Sequence, residues 1–541
     1  MPFSFFCNTF VTLHVIYSCY DNKKWYYQYR KQKGILPMKR IFAILMTICL
    51  LAGALSITAF AANEPATGVV MTVSGLTMDG PVKIEDYTSF EAGWNFAMEK
   101  AKDSKYLDNN QYDRIVVDLF ADWVANEEGV FGDDDGVGFP EDTIYIPEKA
   151  RVILNMNGHT IDRGLGDRNQ FDGEVIYIDE KADVIINGGK SGDAIARADD
   201  TGATFGTITG GNNDGGAGGI HIQDDAKVTL NNVKIVNNVA DGDYGAGIAV
   251  YDGAKFTMNG GGFINNKNNS FTATSFGIYA LGGGIYIEDS TASFDNVLFE
   301  GNQFTYDSGS GAALYAYDSS VTMNKCKVVG NGKKKEADGT VGARSIITIE
   351  DGEMFIKETD FIGNGDVAEF PGEETCLIDV DTYIGSSQIS IDNCTFTQNN
   401  VGYIIDCVNQ DITVTRSRFT DNKSNVLHCS SDTKTIFTDC VLNNNIGTLS
   451  DSNYTINVDF EGDGPTFVNC DMGNSTYNDR NRIQIKNGGT GSIFGEGSFP
   501  MIIAILSLIA SGVAIFLVVY YNKKKAVPAI ANNAAETTDE E

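Results

Sequence analysis

Apolar residues fall on every second position in a series of short segments through the middle of the chain. KVTLNNVKIVNN (227–238), TASFDNVLFEGN (291–302) and SSVTMNKCKVVGN (319–331) carry the pattern most clearly. A period of two is that of a β-strand with one buried face. A second apolar stretch precedes each of them: GGIHI (218–222), GAGIAV (245–250), GGGIYI (282–287) and GAALYA (311–316). Glycine and Asp/Asn turns separate the strands.

The segments repeat around one anchor, a large apolar residue followed three positions later by asparagine. It occurs at Ile235–Asn238, Phe263–Asn266, Phe299–Asn302, Val328–Asn331, Phe361–Asn364, Phe396–Asn399, Phe419–Asn422 and Leu442–Asn445, one every 23 to 36 residues. Those intervals suit one coil of a solenoid each, with loops of varying size. A single coil cannot bury its inward face. Coils stacked about 4.8 Å apart share backbone hydrogen bonds and a continuous core. The recurrent asparagine is expected at a bend, tolerating αL, with its amide on neighbouring backbone groups or in a ladder of asparagines.

Weaker coils extend upstream: RVILNMNGHTIDRG (151–164), EVIYIDEKADVIINGG (174–189) and ATFGTITGGN (203–212). Before them, TSFEAGWNFAMEKAKD (88–103) has helical spacing, with Phe90, Trp94, Ala97 and Ala101 on one side, and RIVVDLFADW (114–123) reads as a strand. The open end of a β-helix needs a cover, and this helix is suited to be one. The expected fold is all-β, a right-handed parallel β-helix over 113–478. It is expected to carry an N-terminal cap over 63–112, a stalk over 479–499 and one C-terminal transmembrane helix.

The pairing of Gly283-Gly284-Ile285 with Phe299-Glu300-Gly301-Asn302, and its counterparts above, resembles the repeats of the chlamydial polymorphic outer membrane proteins. NGHTI (157–161) is similar to the opening coil of many pectate-lyase-like β-helix proteins. The likeness covers about residues 150–450 and implies the fold. The chlamydial proteins are adhesins, so it also implies a surface role. They end in an autotransporter barrel, whereas this chain ends in an apolar helix and a lysine stop.

The ends carry their own signals. Lys39 and Arg40, the apolar run from Ile41 to about Ile57 and Ala59-Phe60-Ala61 read as a signal peptide over 38–62, with translation starting at Met38 and 1–37 a mis-assigned start. Met501 to Tyr521 is uncharged and apolar. At about 1.5 Å per residue it crosses the roughly 30 Å core of a bilayer. A transmembrane helix is expected at 500–521. Lys523, Lys524 and Lys525 place the 522–541 tail in the cytoplasm and the β-helix outside the cell.

Composition narrows the partners. A net charge of −32 repels nucleic acid and anionic lipid surfaces. With 59 glycines but 10 prolines, collagen is excluded, and 42 % hydrophobic residues exclude wholesale disorder. Beyond the membrane, the expected partner is a glycan or a host or bacterial surface protein. Seven cysteines follow the signal peptide. Cys326, Cys394, Cys440 and Cys470 share the register of Val233 and Val297; Cys376, Cys407 and Cys429 fall in the other strand. Cysteine in place of valine reads as a stacked core thiol, with disulfides the alternative.

Candidate chemistry is sparse. Among the histidines, His159, His221 and His428 show no metal-binding spacing, and His159 reads as a turn or capping residue. Asp379 and Asp381 in LIDVDTY stand at i and i+2, on one face of a strand, as a carboxylate pair for glycosidase or lyase chemistry. Asp133, Asp134 and Asp135 in GDDDGVG are candidate calcium ligands; no other cofactor is expected. Tyr244, Tyr251, Tyr286, Tyr315 and Tyr317 would form a row of exposed aromatics in a glycan-binding protein, or lie in the core. Three functions follow: a non-catalytic surface adhesin or scaffold, a carbohydrate-active enzyme, or a glycan-binding protein without catalysis.

Overall fold

One left-handed residue between two short strands makes the basic corner of the molecule. Lys227–Asn231 and Val233–Val236 meet at Asn232, whose φ is +52°. Asn and Asp take this conformation at low cost. The same corner recurs at Asn296, Lys325, Glu358, Asn393, Arg416 and Asp439. Each coil therefore turns sharply, and its neighbours stack on it in register.

The computed structural model describes residues 68–486, apart from 126–142, 166–172, 214–215, 241–243, 270–279, 306–308, 334–342, 367–374, 382–387, 408–409, 430–433, 448–453, 459–463 and 478–482. The chain divides at residue 63/64, and every described residue belongs to the second unit. The predicted signal peptide and the predicted span at 500–521 lie outside the described residues. Among those described, no helix is long and apolar enough to cross a membrane.

Successive coils feed four sheets. In one coil, Ile220–Ile222 belongs to sheet III, Lys227–Asn231 to sheet I, Val233–Val236 to sheet II and Val239–Ala240 to the short sheet IV. Pairing between coils is parallel: Val228 lies beside Phe256, Ile235 beside Phe263, and Ile220 beside Ile248. Among the described residues sheet I has 15 strands, sheets II and III have 11 each, and sheet IV has 4. The architecture is a parallel β-helix, as the alternation predicts. The last described strand, Gln484–Lys486, lies inside the segment read as a stalk and pairs with Thr466–Val468, so stacking continues past 478.

At the N-terminal end, β1 (Met71–Thr77) and β2 (Gly80–Tyr87) form an antiparallel hairpin, and β1 pairs antiparallel with β3 (Arg114–Leu119). Between them run α1 (Phe90–Lys102) and α2 (Ser104–Asn110). Ser89 caps α1 by accepting from the Ala92 N–H. The buried face of α1 holds Phe90, Trp94, Ala97 and Ala101, as the spacing requires, together with Met98. Phe90 stacks on Trp123 at 4.8 Å, and Trp94 donates its indole N–H to the Tyr145 carbonyl at 3.1 Å. These contacts join the cap to the core of the first coils.

The core is built in columns. Ile161, Ile208, Ile235, Phe263, Phe299, Val328, Phe361, Phe396, Phe419 and Leu442 occupy one register of sheet II and are fully buried. Beside it runs a ladder of eight asparagines. Each side-chain NH2 from Asn238 to Asn422 donates to the Oδ1 of the next coil's asparagine, through Asn266, Asn302, Asn331, Asn364, Asn399 and Asn422 to Asn445, at 2.9–3.2 Å. The same Oδ1 also accepts the previous asparagine's backbone N–H. One expectation is corrected here: the ladder asparagines are not the αL residues. That conformation belongs to the residue before each, such as Asn237, Asn265, Gly301, Gly330 and Gln398. This frees the asparagine side chain to point inward.

The cysteines explain themselves in the same way. Cys326, Thr359, Cys394, Ser417, Cys440 and Cys470 share one corner position. Each donates its S–H or O–H to the carbonyl two residues earlier. The N–H of Cys326 reaches Thr359 Oγ1, that of Cys394 reaches Ser417 Oγ, and that of Cys440 reaches Cys470 Sγ. Cysteine stands here for a small buried hydroxyl as much as for valine. Burial pushes the Cys326 and Cys394 thiols up to about 12, which removes the reactive thiolate. Cys376, Cys407 and Cys429 all lie in sheet III. Cys407 and Cys429 are register partners, whereas Cys376 pairs with Tyr403.

Candidate ligand-binding face on sheet III

Each strand of sheet III turns a central side chain outward, and the longer ones, such as Leu314–Tyr317 and Cys376–Asp381, turn out a second two positions on. Register aligns these side chains from coil to coil: Tyr145, Tyr177, His221, Ala249, Tyr286, Tyr315, Thr348, Asp379, Asp406 and His428. The column is aromatic in its first half and ionisable in its second.

In the aromatic half the rings stack along the solenoid. Tyr145 lies 6.0 Å from Tyr177, and Tyr177 lies 4.9 Å from His221. Tyr251 bridges the gap left by Ala249, at 5.0 Å from His221 and 5.8 Å from Tyr286. Tyr244 covers Tyr286 at 4.5 Å, and Tyr286 stacks on Tyr315 at 5.7 Å. Ala217, Ala249, Tyr286 and Tyr315 form a small apolar cluster separate from the core. The tyrosines thus form a row on the outside, but an uneven one. Tyr145, Tyr177, His221 and Tyr251 are half-buried, Tyr286 is 3 % exposed beneath its neighbours, and Tyr317 is 38 % exposed.

Carboxylates border the rings. Tyr145 donates to Asp179 at 2.5 Å, Tyr286 to Glu288 at 3.1 Å, and Tyr315 to Glu350. Burial raises the Tyr177 phenol to about 12, and the nearby Asp179 charge adds to it. Burial lowers His221 to about 4, so this ring is neutral at physiological pH. Gln223 lies 2.7 Å from its Nε2. The row therefore offers flat neutral rings with anionic acceptors along one edge.

The ionisable half holds Asp379 and Asp381. Both lie on strand Cys376–Asp381 and flank the inward Val380; Asp379 is half-buried and Asp381 exposed. Asp379 pairs in register with Thr348 and Asp406, and Asp381 with Glu350. Asp406 is buried, with its Oδ1 3.0 Å from His428 Nδ1, while the Cys376 thiol donates to its Oδ2 at 3.5 Å. His428 stacks on Tyr403 at 4.6 Å. The Glu350 carboxyl is raised by burial; the Tyr315 hydrogen bond opposes that and the Asp381 charge adds to it. Glu350 and Asp406 were not singled out by the sequence, and His428 was noted there only as lacking a metal-binding spacing. Only register across loops of unequal length brings them beside Asp379 and Asp381.

The remaining candidates stand apart. His159 Nδ1 lies 3.0 Å from Asp122 Oδ1, which also accepts the Thr160 N–H, a turn role. Asp133, Asp134 and Asp135 lie outside the described residues. Among the described residues no three acidic, histidine or cysteine side chains are grouped to hold a metal ion.

Geobacillus virus E2 ORF18, a solved structure, is similar at 9 % identity and a TM-score of 0.27, over 60 % of this chain and 54 % of that one. No curated protein matches the chain. The family model described as "Right handed beta helix region" matches twice, at residues 152–334 and 263–442. Those two matches together span more than half of the sequence, and the chain belongs to the right-handed β-helix family.

Proposed function

We propose that this is an exported, membrane-anchored β-helix that holds glycan chains along the outward face of sheet III, in the manner of an adhesin and without catalysis. The observation that carries the reading is the stacked row Tyr145, Tyr177, His221, Tyr251, Tyr286 and Tyr315 with its border of carboxylates. Sugar rings present C–H faces that pack on aromatic rings and hydroxyls that donate to carboxylates. The row runs along the stacking axis, so an extended polymer meets several rings at once. Binding is expected to be sensitive to the half-exposed rings. Tyr177→Ala and Tyr251→Ala should each weaken oligosaccharide affinity roughly 2- to 10-fold, from the loss of about 0.5–1.5 kcal/mol of ring contact. Both proteins should keep their fold. Titration calorimetry against a panel of plant, host and microbial glycans, with and without calcium for the candidate ligands Asp133, Asp134 and Asp135, reads this. A wild-type chain that binds none of them, or variants that bind as wild type does, would remove the reading.

The anchoring part rests on the signal-peptide pattern at 38–62 and the apolar run Met501–Tyr521 with its lysine stop. A stop codon after residue 499 should move the protein from the membrane fraction to the medium. Equal partitioning of the full and shortened chains would contradict it.

A second reading, a glycosidase or polysaccharide lyase, is favoured by one observation: the raised Glu350 carboxyl beside the exposed Asp381. That pairing suits a general acid next to a carboxylate. Product release from any glycan, abolished by Asp381→Asn, would put it first.

A further inference from the structure

One column of the solenoid brings two cysteines into consecutive coils, at the point where other fastenings between coils stop. The inner ladder runs to Asn445, whose NH2 donates to the Phe419 carbonyl at 2.8 Å. Among the described residues no asparagine of the next coil continues it: the Asn474 Oδ1 accepts from the Asn444 N–H instead, at 2.9 Å. Between the same two coils, sheets II and III hold on by single bridges, Val441 to Asp471 and Ile456 to Tyr477. Sheet I alone keeps a longer pairing among the described residues, Ile436–Thr438 beside Thr466–Val468.

Cys440 and Cys470 stand two residues past that pairing. Each follows a left-handed corner residue, Asp439 at φ +55° and Asn469 at φ +54°. Register therefore sets their Cα atoms about 4.8 Å apart, inside the roughly 4.4–6.8 Å that a disulfide spans. The Cys440 N–H points at Cys470 Sγ, 3.4 Å away. Elsewhere in the column a hydroxyl follows the thiol: Thr359 after Cys326, and Ser417 after Cys394. The two cysteines also differ in access. Cys440 is 1 % exposed, whereas Cys470 ends the described column and is half-buried. Hydrogen bonds from Cys440 lower the Cys470 thiol below its ordinary value, against the opposing effect of burial. Both S–H groups donate to carbonyls, Thr438 at 3.3 Å and Val468 at 3.4 Å. Those carbonyls also accept the Arg416 and Asp439 N–H groups at 2.9 Å, so loss of the thiol protons strands neither.

We propose that Cys440 and Cys470 are a redox site, closed into a disulfide by a low-molecular-weight disulfide, that staples the last described coils where the asparagine ladder gives out. The Cys470 thiolate attacks one sulfur of the oxidant and expels the other as a thiolate. The Cys440 thiolate then attacks Cys470 Sγ and expels the second. One S–S bond breaks in the oxidant and one forms in the protein, and the two cysteine protons leave with the released thiols. Cys407 and Cys429, register partners in sheet III, do not offer the same chemistry. Both are enclosed in the core, and burial holds the Cys407 thiol well above its ordinary value. The inference goes beyond the glycan reading and does not depend on it.

The test equilibrates the reduced full chain, in mild detergent, with oxidised glutathione. Remaining thiols are blocked with N-ethylmaleimide and linked peptides are mapped by mass spectrometry. A Cys440–Cys470 linkage is expected, and amide exchange over 441–447 and 464–477 should slow at least about tenfold on oxidation. Cys440→Ser places in this corner the side chain that Ser417 already places there one coil earlier, so the fold should hold. It should leave Cys470 as a mixed disulfide with glutathione. Cys470→Ser should abolish both the linkage and the change in exchange. Recovery of both cysteines as thiols overturns the inference. So does Cys470 held as a mixed disulfide in the wild-type chain, or a Cys407–Cys429 linkage in place of the expected one. The staple fails equally if the linkage forms and exchange stays as it is in the reduced chain.

Discussion

Asn331→Ala is expected to destabilise the solenoid by about 3–6 kcal/mol, among the largest effects of any single polar substitution. Asn331 sits mid-ladder and is fully buried. Its Oδ1 accepts both the backbone N–H and the side-chain NH2 of Asn302, each at 2.9 Å, and its own NH2 donates to the Phe299 carbonyl at 2.9 Å. Alanine strands these groups where no water replaces the missing atoms, and each buried orphan costs about 1–3 kcal/mol. A stacked array transmits loss only to neighbouring coils, so amide exchange should rise first around residues 299–366. The control is Asn259→Ala. Asn259 belongs to a second ladder, Asn155, Asn187, Asn231 and Asn259, on the half-buried outer side of sheet I. There solvent substitutes for the lost bond, and the cost should stay near 1 kcal/mol. Urea unfolding followed together with hydrogen exchange compares the two. An Asn331→Ala loss no larger than that of Asn259→Ala would mean the inner ladder is not what holds the coils in register.

That ladder was legible in the sequence, because one asparagine recurs at one distance from one apolar anchor. The strand period of two and the helical face of Phe90, Trp94, Ala97 and Ala101 were legible for the same reason: each pattern repeats within a few residues. Sheet IV was not, since segments such as Asn212–Asn213 and Gln303–Phe304 are two residues long and carry no period. Nor was the side of the sheet on which the tyrosines lie. In GGGIYI both faces of the strand are apolar, and Tyr286 faces outward yet is covered by other rings. The carboxylates divide along the same line. Asp379 and Asp381 are two positions apart on one strand, so their shared face follows from strand geometry. Asp406, His428 and Glu350 reach them from other coils. The register that aligns them depends on loops whose lengths vary from coil to coil, and sequence period does not encode it.

The apolar column beside the ladder sets the other large expectation. Phe396→Ala should cost about 3–5 kcal/mol, the range for truncating a buried aromatic residue. Phe396 is fully buried between Phe361, 4.7 Å away with rings 3° from parallel, and Phe419, 4.5 Å away and 1° from parallel. Collapse cannot fill the space, since the flanking coils are fixed by Asn364, Asn399 and Asn422 through paired hydrogen bonds. The cavity should therefore persist, and cost scales with residual cavity volume. Phe396→Leu is predicted to lose under about 2 kcal/mol. Leu442 and Val328 already occupy the same register in other coils, so the column accepts aliphatic side chains where its neighbours repack. Denaturant unfolding of the two variants measures the ratio. If leucine cost as much as alanine, the aromatic stacking itself, beyond filled volume, would be what the column requires. If alanine cost under about 1 kcal/mol, the coils would have closed on the gap, and the ladder would not be fixing their spacing.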